Sequence, residues 1–381
     1  LRRRARSNAS CTAPSRSSKC HRPSNWDGSA SSERLSQSWR DPQGALWHSE
    51  DGKLFRDRRA VLTANGRITS VSFAPGRLAV VTTLRDGIYL LAAPRVDLAG
   101  DDQILRLGNL YGLTQAVDGS MWMGSLGGGL HRLWPDGRQR TYRRTDGLPG
   151  DNIWAVAQAA DRSIYAASYL PGLWRMPEAA NRFDPVDAPA PLNTAQIRAF
   201  STDSAGALWV GGTAGAWQLT ASGWQQRWPV GAPATVLAIA HAPDGTVWYG
   251  GDLGLWRQDA RQSWGVAERL LQGARVRGVF LASDGAIWAS SEGRGLLRVA
   301  ADDPHGEHAI RLGRAEGLPS NSPHAVIEDA RGNLWINSNQ GIFRITRAAL
   351  ADFLAGRSRS LSPLTLGLAD GLTELEGNGG V

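Results

Sequence analysis

The chain has 381 residues, 45 of them glycine and 16 tryptophan, and a formal net charge of +7. Residues 1–60 hold 13 basic against 6 acidic residues, which is the whole of that charge; the remainder is neutral and offers no clustered cationic surface to a nucleic-acid backbone. The only cysteines, Cys11 and Cys20, precede residue 33, which excludes a disulfide framework, a cysteine zinc site and a cysteine nucleophile from the rest.

Residues 1–32 are rich in Ser, Arg and Pro, lack apolar periodicity, and are expected to be a disordered basic tail. Leu1–Arg6 is followed by Ser7, Asn8, Ala9 and Ser10, not by the apolar stretch of a signal peptide. No apolar run reaches the roughly 18 residues of a membrane-spanning helix. The chain starts on Leu1 and stops in mid-pattern, so it is expected to be a fragment of a longer protein.

From residue 33 to 368 the sequence repeats itself. The clearest copy runs from Val236 to Arg257: an alternating apolar run, an Asp244-Gly245 turn, a second run carrying Trp248, a glycine turn and a short third run. Asp-Gly between alternating runs signals a β-hairpin, because the turn needs positive φ. Trp47, Trp122, Trp209, Trp248, Trp288 and Trp335 each stand three residues after a glycine; Tyr165 fills the slot in a degenerate copy, and a copy around Gly76 to Tyr89 has lost it. These are eight copies at a spacing of roughly 41 residues, the length of four short strands with their turns. A single four-stranded sheet cannot bury both faces; stacking such sheets radially does. The fold expected is all-β: a β-propeller of four-stranded antiparallel blades, seven or, alternatively, eight in number. The repeated Trp is read as wedge packing between neighbouring blades.

Two segments carry a family resemblance. Glu316-Gly-Leu-Pro through the Trp335 hairpin to Arg344, and Asp146-Gly-Leu-Pro-Gly-Asp-Asn-Ile through Trp174-Arg175, resemble the two-component regulator propeller repeat. Residues 369–380 resemble the start of a last blade, which is truncated here. The resemblance implies the periplasmic, extracytoplasmic sensor region of an inner-membrane protein, a bacterial hybrid histidine kinase or diguanylate cyclase. The membrane segment and output domain would lie outside this chain, and a homodimer is compatible with the reading. Counting seven blades back from residue 369 leaves the first two copies to a preceding propeller; an eight-bladed ring is the alternative.

Comparing the copies with one another points to a site. Each first strand opens with an aliphatic, a variable, a small and an apolar residue, as in Ile153-Trp154-Ala155-Val156. The variable slot holds Thr69, Tyr111, Trp154, Arg198, Leu237, Arg277 and His324 in succession. First strands line a propeller's channel, so these residues are expected to ring one mouth, aromatic on one side and basic on the other. Aromatic faces and arginines suit a small anionic or oligosaccharide ligand. Asn152, Asn321 and Ser322 from the preceding loops, and Tyr169 with Asp252, Glu292 and Asn339 from the loops between second and third strands, share that mouth. A wet channel that tolerates variation is the plainer reading.

No catalytic residue, metal or cofactor is expected. Asp118, Asp161, Asp244 and Asp284 occupy turn positions, there is no nucleophile elbow, and the histidines show no ligand spacing, His305 and His308 included. Asp252 and Glu292 are the best-placed carboxylates for a carbohydrate-active or lyase-type enzyme. A protein-interaction scaffold is the other alternative. No nucleic-acid partner is expected, and membrane contact only through a segment outside this chain.

Overall fold

In the computed structural model, the described residues are 37–92 apart from 42–43, 65–66, 75–77 and 84–87; 110–367 apart from 229–234 and 262–267; and 370 and 372. The proposed tail at 1–32, the Gly76 turn and most of 369–381 lie outside them. Among the described residues the strands form seven four-stranded sheets and one three-stranded sheet, each a sequential antiparallel meander. Two compact units divide the chain, residues 1–93 with two sheets and residues 94–381 with six.

In the second unit the first strands of successive sheets lie side by side: Leu110–Gln115, Ile153–Gln158, Ile197–Thr202, Val236–His241, Val276–Leu281 and Pro323–Glu328. They are therefore the innermost strands. Each wedge between consecutive sheets holds its own apolar core. Trp122 packs with Ile153 and Val156 of the next sheet, Trp209 with Val236 and Ile239, Trp248 with Val276 and Val279, and Trp288 with Val326 and Ile336. Tyr165 serves the same role against Ile197 and Phe200. Within the first unit, Trp47 joins Ile68, Val71 and Val81. The wedge role read from the sequence thus holds at these six positions, while Trp335 of the last described sheet is only partly buried, and each buried indole removes on the order of 200 Å² from water.

The small residue after each variable slot has a steric cause. A Cβ on Gly112 would stand 2.8 Å from the Ala155 Cα, and one on Gly278 3.0 Å from the His324 carbonyl. At these two positions the inner strands converge so closely that a side chain enters only if its neighbours shift.

Two wirings lock the first hairpin, and they depend on where its aspartate sits. When Asp precedes the indole by six residues, its carboxylate accepts the Trp Nε1–H: Asp41 from Trp47 at 3.0 Å, Asp203 from Trp209 and Asp329 from Trp335 at 2.9 Å. When Asp stands four residues before the ring, three of the four copies bind a third-strand arginine instead: Asp118–Arg132 at 2.5 Å, with Asp161–Arg175 and Asp284–Arg298 at 2.7 Å; in the Asp244 copy the third-strand Arg257 pairs with Asp259 at 3.1 Å. The Trp122 indole N–H is then left buried without an acceptor. Burial alone would raise the Asp203 carboxyl, but hydrogen bonds from the Trp209 indole, the Ala207 amide and Gln218 outweigh it and hold it below the usual range. Asp203→Ala is expected to cost about 1–3 kcal/mol, because it strands a buried donor. Asp284→Ala, which breaks an exposed pair, is expected to cost about 1 kcal/mol or less. Paired urea-unfolding curves check the ranking; equal losses would contradict it.

Candidate functional site

The variable slot is a β-bulge. On the inner strand of the fourth sheet Ile153 pairs with Ser168 and Ala155 with Ala167, so Trp154 is the extra residue. The same shift skips Arg198, Leu237, Arg277 and His324. Thr69 is skipped in the first unit, where its hydroxyl lies 2.6 Å from that of Thr82. On the inner strand of the third sheet the irregularity spans Tyr111 and Gly112. A bulged residue leaves the ladder and its side chain is re-aimed. This is why the slot varies while its neighbours, committed to the wedge cores, do not.

On the third to fifth sheets the bulges bring their side chains together. Tyr111 meets Trp154 edge to face at 4.3 Å between ring centroids, and Trp154 stacks with Tyr169 at 5.9 Å. The Arg198 guanidinium lies 4.7 Å from the Trp154 ring centroid and 5.9 Å from that of Tyr169, within cation–π range. Its Nη2 donates to Gln196 Oε1 at 2.8 Å. Burial lowers the Arg198 pKa from its ordinary value, and neighbouring Tyr169, Arg275 and Asp252 act on it electrostatically.

On the basic side, Arg277 is held in an ion pair. Arg277 Nη2 donates to Glu292 Oε1 at 3.2 Å, and Arg275 reaches Asp252 at 2.8 Å and Glu292 at 3.8 Å. Arg275, outside the variable slot, carries no signal in the sequence, yet it joins the two loop carboxylates. The Arg277 hydrogen bond is the main cause that holds Glu292 below its ordinary pKa, and His324 acts in the same direction. His324 is half-buried, and its carbonyl accepts from Ser290 Oγ at 2.7 Å.

The two loop asparagines part ways. Asn152 is exposed; its carbonyl accepts the Tyr169 amide at 3.1 Å, and it bridges to Leu126 of the preceding sheet. Asn321 is committed to the Gly-Leu-Pro loop, where its Oδ1 accepts the Arg314 amide at 2.7 Å and its carbonyl accepts the Gly295 amide. Asn321 therefore buttresses a turn, and its side-chain oxygen is occupied.

That loop has the same build in both copies. A short 3-10 turn, Arg144–Asp146 or Arg314–Glu316, ends on a glycine at positive φ, and the following Leu148 or Leu318 is buried. The closing carboxylate folds back on the turn: Asp146 Oδ2 accepts the Arg143 amide at 2.9 Å and Glu316 Oε2 the Gly313 amide at 2.7 Å.

The chain is similar to the extracellular domain of the hybrid two component system BT4673 from B. thetaiotaomicron, at 17% identity and a TM-score of 0.43 over 82% of this chain and 50% of that one. It thus spans about half of that domain's length. It is also similar to a catalytically inactive virginiamycin B lyase from Staphylococcus aureus, solved with quinupristin, at 14% identity and a TM-score of 0.56 over 72% of this chain and 88% of that one. A third likeness is to PorZ, a surface component of the type-IX secretion system of Porphyromonas gingivalis, at 15% identity and a TM-score of 0.53 over 82% and 58% of the two chains. At such identities the last two likenesses bear on the fold alone. No curated protein matches the sequence. Residues 317–340, from the Gly-Leu-Pro loop through the Trp335 hairpin, match the family model of the two component regulator propeller, and the chain is a β-propeller chain that carries a repeat of this family.

Proposed function

We propose that this chain is the extracytoplasmic, ligand-sensing input region of a bacterial signal-transduction protein, and that it binds a small anionic or sugar-like ligand at the rim formed by the bulged residues. The output domain in this reading is a histidine kinase or a diguanylate cyclase. The observation that carries it is the bulge itself. A residue released from the ladder at the same point of successive inner strands gives one rim of adjacent, non-structural side chains. On it Tyr111, Trp154, Tyr169 and Arg198 form a continuous aromatic and cationic face.

The test is a thermal-shift screen of the chain against oligosaccharides and acidic metabolites. A true ligand at a hundredfold excess over its Kd adds about 2.7 kcal/mol to the stability of the folded form. The shift is expected to vanish in Trp154→Ala and Arg198→Ala. No shift from any compound, together with a protein that co-purifies with the chain, would favour the interaction-scaffold reading.

The electrostatics weigh against the enzyme alternative. A glycosidase acid needs a raised pKa. Glu292 is held below its ordinary value, and Arg275 bridges it to Asp252. A carboxylate held low by two guanidiniums suits ion pairing and not proton donation.

A further inference from the structure

The charges around this rim do not all face a ligand on equal terms. Asp252, Arg275, Glu292 and Arg277 alternate in sign along one chain of contacts of 2.8, 3.8 and 3.2 Å, so they neutralise one another. Arg198 has no carboxylate within ion-pair distance among the described residues; its hydrogen-bond partner is the neutral Gln196. It is half-buried against the stacked rings. The rim beside it is apolar. Leu110 is 38% exposed, Leu126 40%, Leu170 51% and Tyr169 52%, at the same end of two adjacent sheets. The Leu126–Asn152 bridge and the hydrogen bond from the Tyr169 amide to the Asn152 carbonyl join the loops that carry them.

We propose that the rim selects a monocarboxylate borne on an apolar body, an aryl or branched aliphatic acid, with the carboxylate on Arg198 and the body against Trp154, Tyr169 and the flanking leucines. The inference rests on the reading that this rim holds a ligand, and it narrows the class. A polyanion needs several available cations, and recruiting Arg275 or Arg277 would strand Asp252 or Glu292 without its partner. A sugar stacked on Trp154 would turn its hydroxyls toward leucine side chains that offer no hydrogen bond, a desolvation cost that an apolar body avoids. One guanidinium pre-oriented by stacking presents a fork that one carboxylate matches.

Isothermal titration of the chain with 3-phenylpropanoate, 3-phenylpropanamide, galacturonate, cellobiose and citrate tests this. Expected is binding of 3-phenylpropanoate, with the amide weaker by about tenfold or more, because it lacks the charge that the guanidinium pairs. Citrate, galacturonate and cellobiose are expected not to bind. Arg198→Gln should abolish 3-phenylpropanoate binding and Tyr169→Ala, at an exposed site, should weaken it. Arg275→Gln should leave it within about threefold. Circular dichroism melts of each variant separate lost binding from lost folding. If galacturonate or cellobiose binds instead, and Trp154→Ala or Tyr169→Ala removes that binding, the proposed class is wrong while the rim stands. If 3-phenylpropanoate binds with equal affinity in Arg198→Gln and Tyr169→Ala, or no probe binds at all, the monocarboxylate assignment falls. The broader thermal-shift screen then decides whether the rim binds anything.

Discussion

Gly317→Ala is expected to lower the stability of its sheet by about 3 kcal/mol or more, and Gly147→Ala to do the same. Both glycines close a 3-10 turn at positive φ, 97° and 93°. A Cβ at either place would overlap a backbone carbonyl, that of Leu361 or of Phe183. Neither carbonyl can retreat freely. The Leu361 amide donates to the Glu316 carbonyl at 2.7 Å, and the Phe183 amide to the Asp146 carbonyl at 2.8 Å, so a shift that relieves the clash breaks the bond that seats the loop. Gly293 separates the two effects. It has φ of 76° and nothing within 4 Å of the place a methyl would take, so Gly293→Ala meets the dihedral penalty alone, about 1 kcal/mol. Urea-unfolding midpoints of the three variants measure the difference. A loss in Gly317→Ala no larger than that in Gly293→Ala would show that the loop yields, and that its glycine is chosen for φ only.

Acidification from pH 7 to pH 4 is expected to be the other large effect, and histidine is its source. His131 is fully buried, with Nε2 3.0 Å from Ser125 Oγ and Nδ1 2.9 Å from Thr141 Oγ1. Burial, helped by the charge of Arg143, pushes its pKa down to about 4. Burial beside the Trp209 ring pushes His241 to about 4 as well, against a small opposing pull from Asp203. An unfolded histidine titrates near 6.5. Between those values the unfolded chain binds protons that the folded chain refuses. The stabilising contribution is therefore complete above about pH 6.5 and is lost as pH falls towards 4. For His131 the loss is on the order of 3 kcal/mol; His241, partly exposed, contributes less. His131→Asn, which cannot titrate there, should flatten the slope of unfolding midpoint against pH between 6.5 and 4. An unchanged slope would mean that the ring takes up its proton without leaving its place.

Much of the fold was legible because its determinants are local. A glycine, then an indole three residues on, then a second glycine turn, fixes a hairpin and its buried face within about twenty residues, and the eight copies set the architecture. The distinction between the two aspartate wirings is equally local: the six- or four-residue offset from the ring stands in the sequence at Asp203 and Asp284. It is easily missed because both residues look like ordinary turn formers. The variable slot is visible as a pattern, but its cause is not. Whether Trp154 continues the ladder or bulges from it is decided by Ser168 and Ala167 on the neighbouring strand, and no residue of the inner strand alone records that pairing.

The rim's chemistry was legible on its aromatic side and not on its basic side. Tyr111, Trp154 and Tyr169 meet because adjacent blades present adjacent slots. Arg277 reads as an available cation, yet Glu292, fifteen residues later, covers it, and Arg275 ties the same carboxylate to Asp252 of the preceding sheet. Ion pairs between blades depend on side-chain reach across a gap that spacing in one chain does not encode. Asn321 misleads for the opposite reason. Its oxygen is consumed by the Arg314 amide seven residues earlier, inside the loop that makes it look available.

A crystal structure of this chain bears most directly on the idea that ladder-released residues of successive inner strands build one face. It is expected to show Ile153 opposite Ser168, Ala155 opposite Ala167 and Trp154 unpaired between them, with the Arg198 guanidinium resting on the indole. An inner strand paired without interruption, its indole turned away from Arg198 and into a wedge core, would contradict the bulge, the rim and the ligand class built on them.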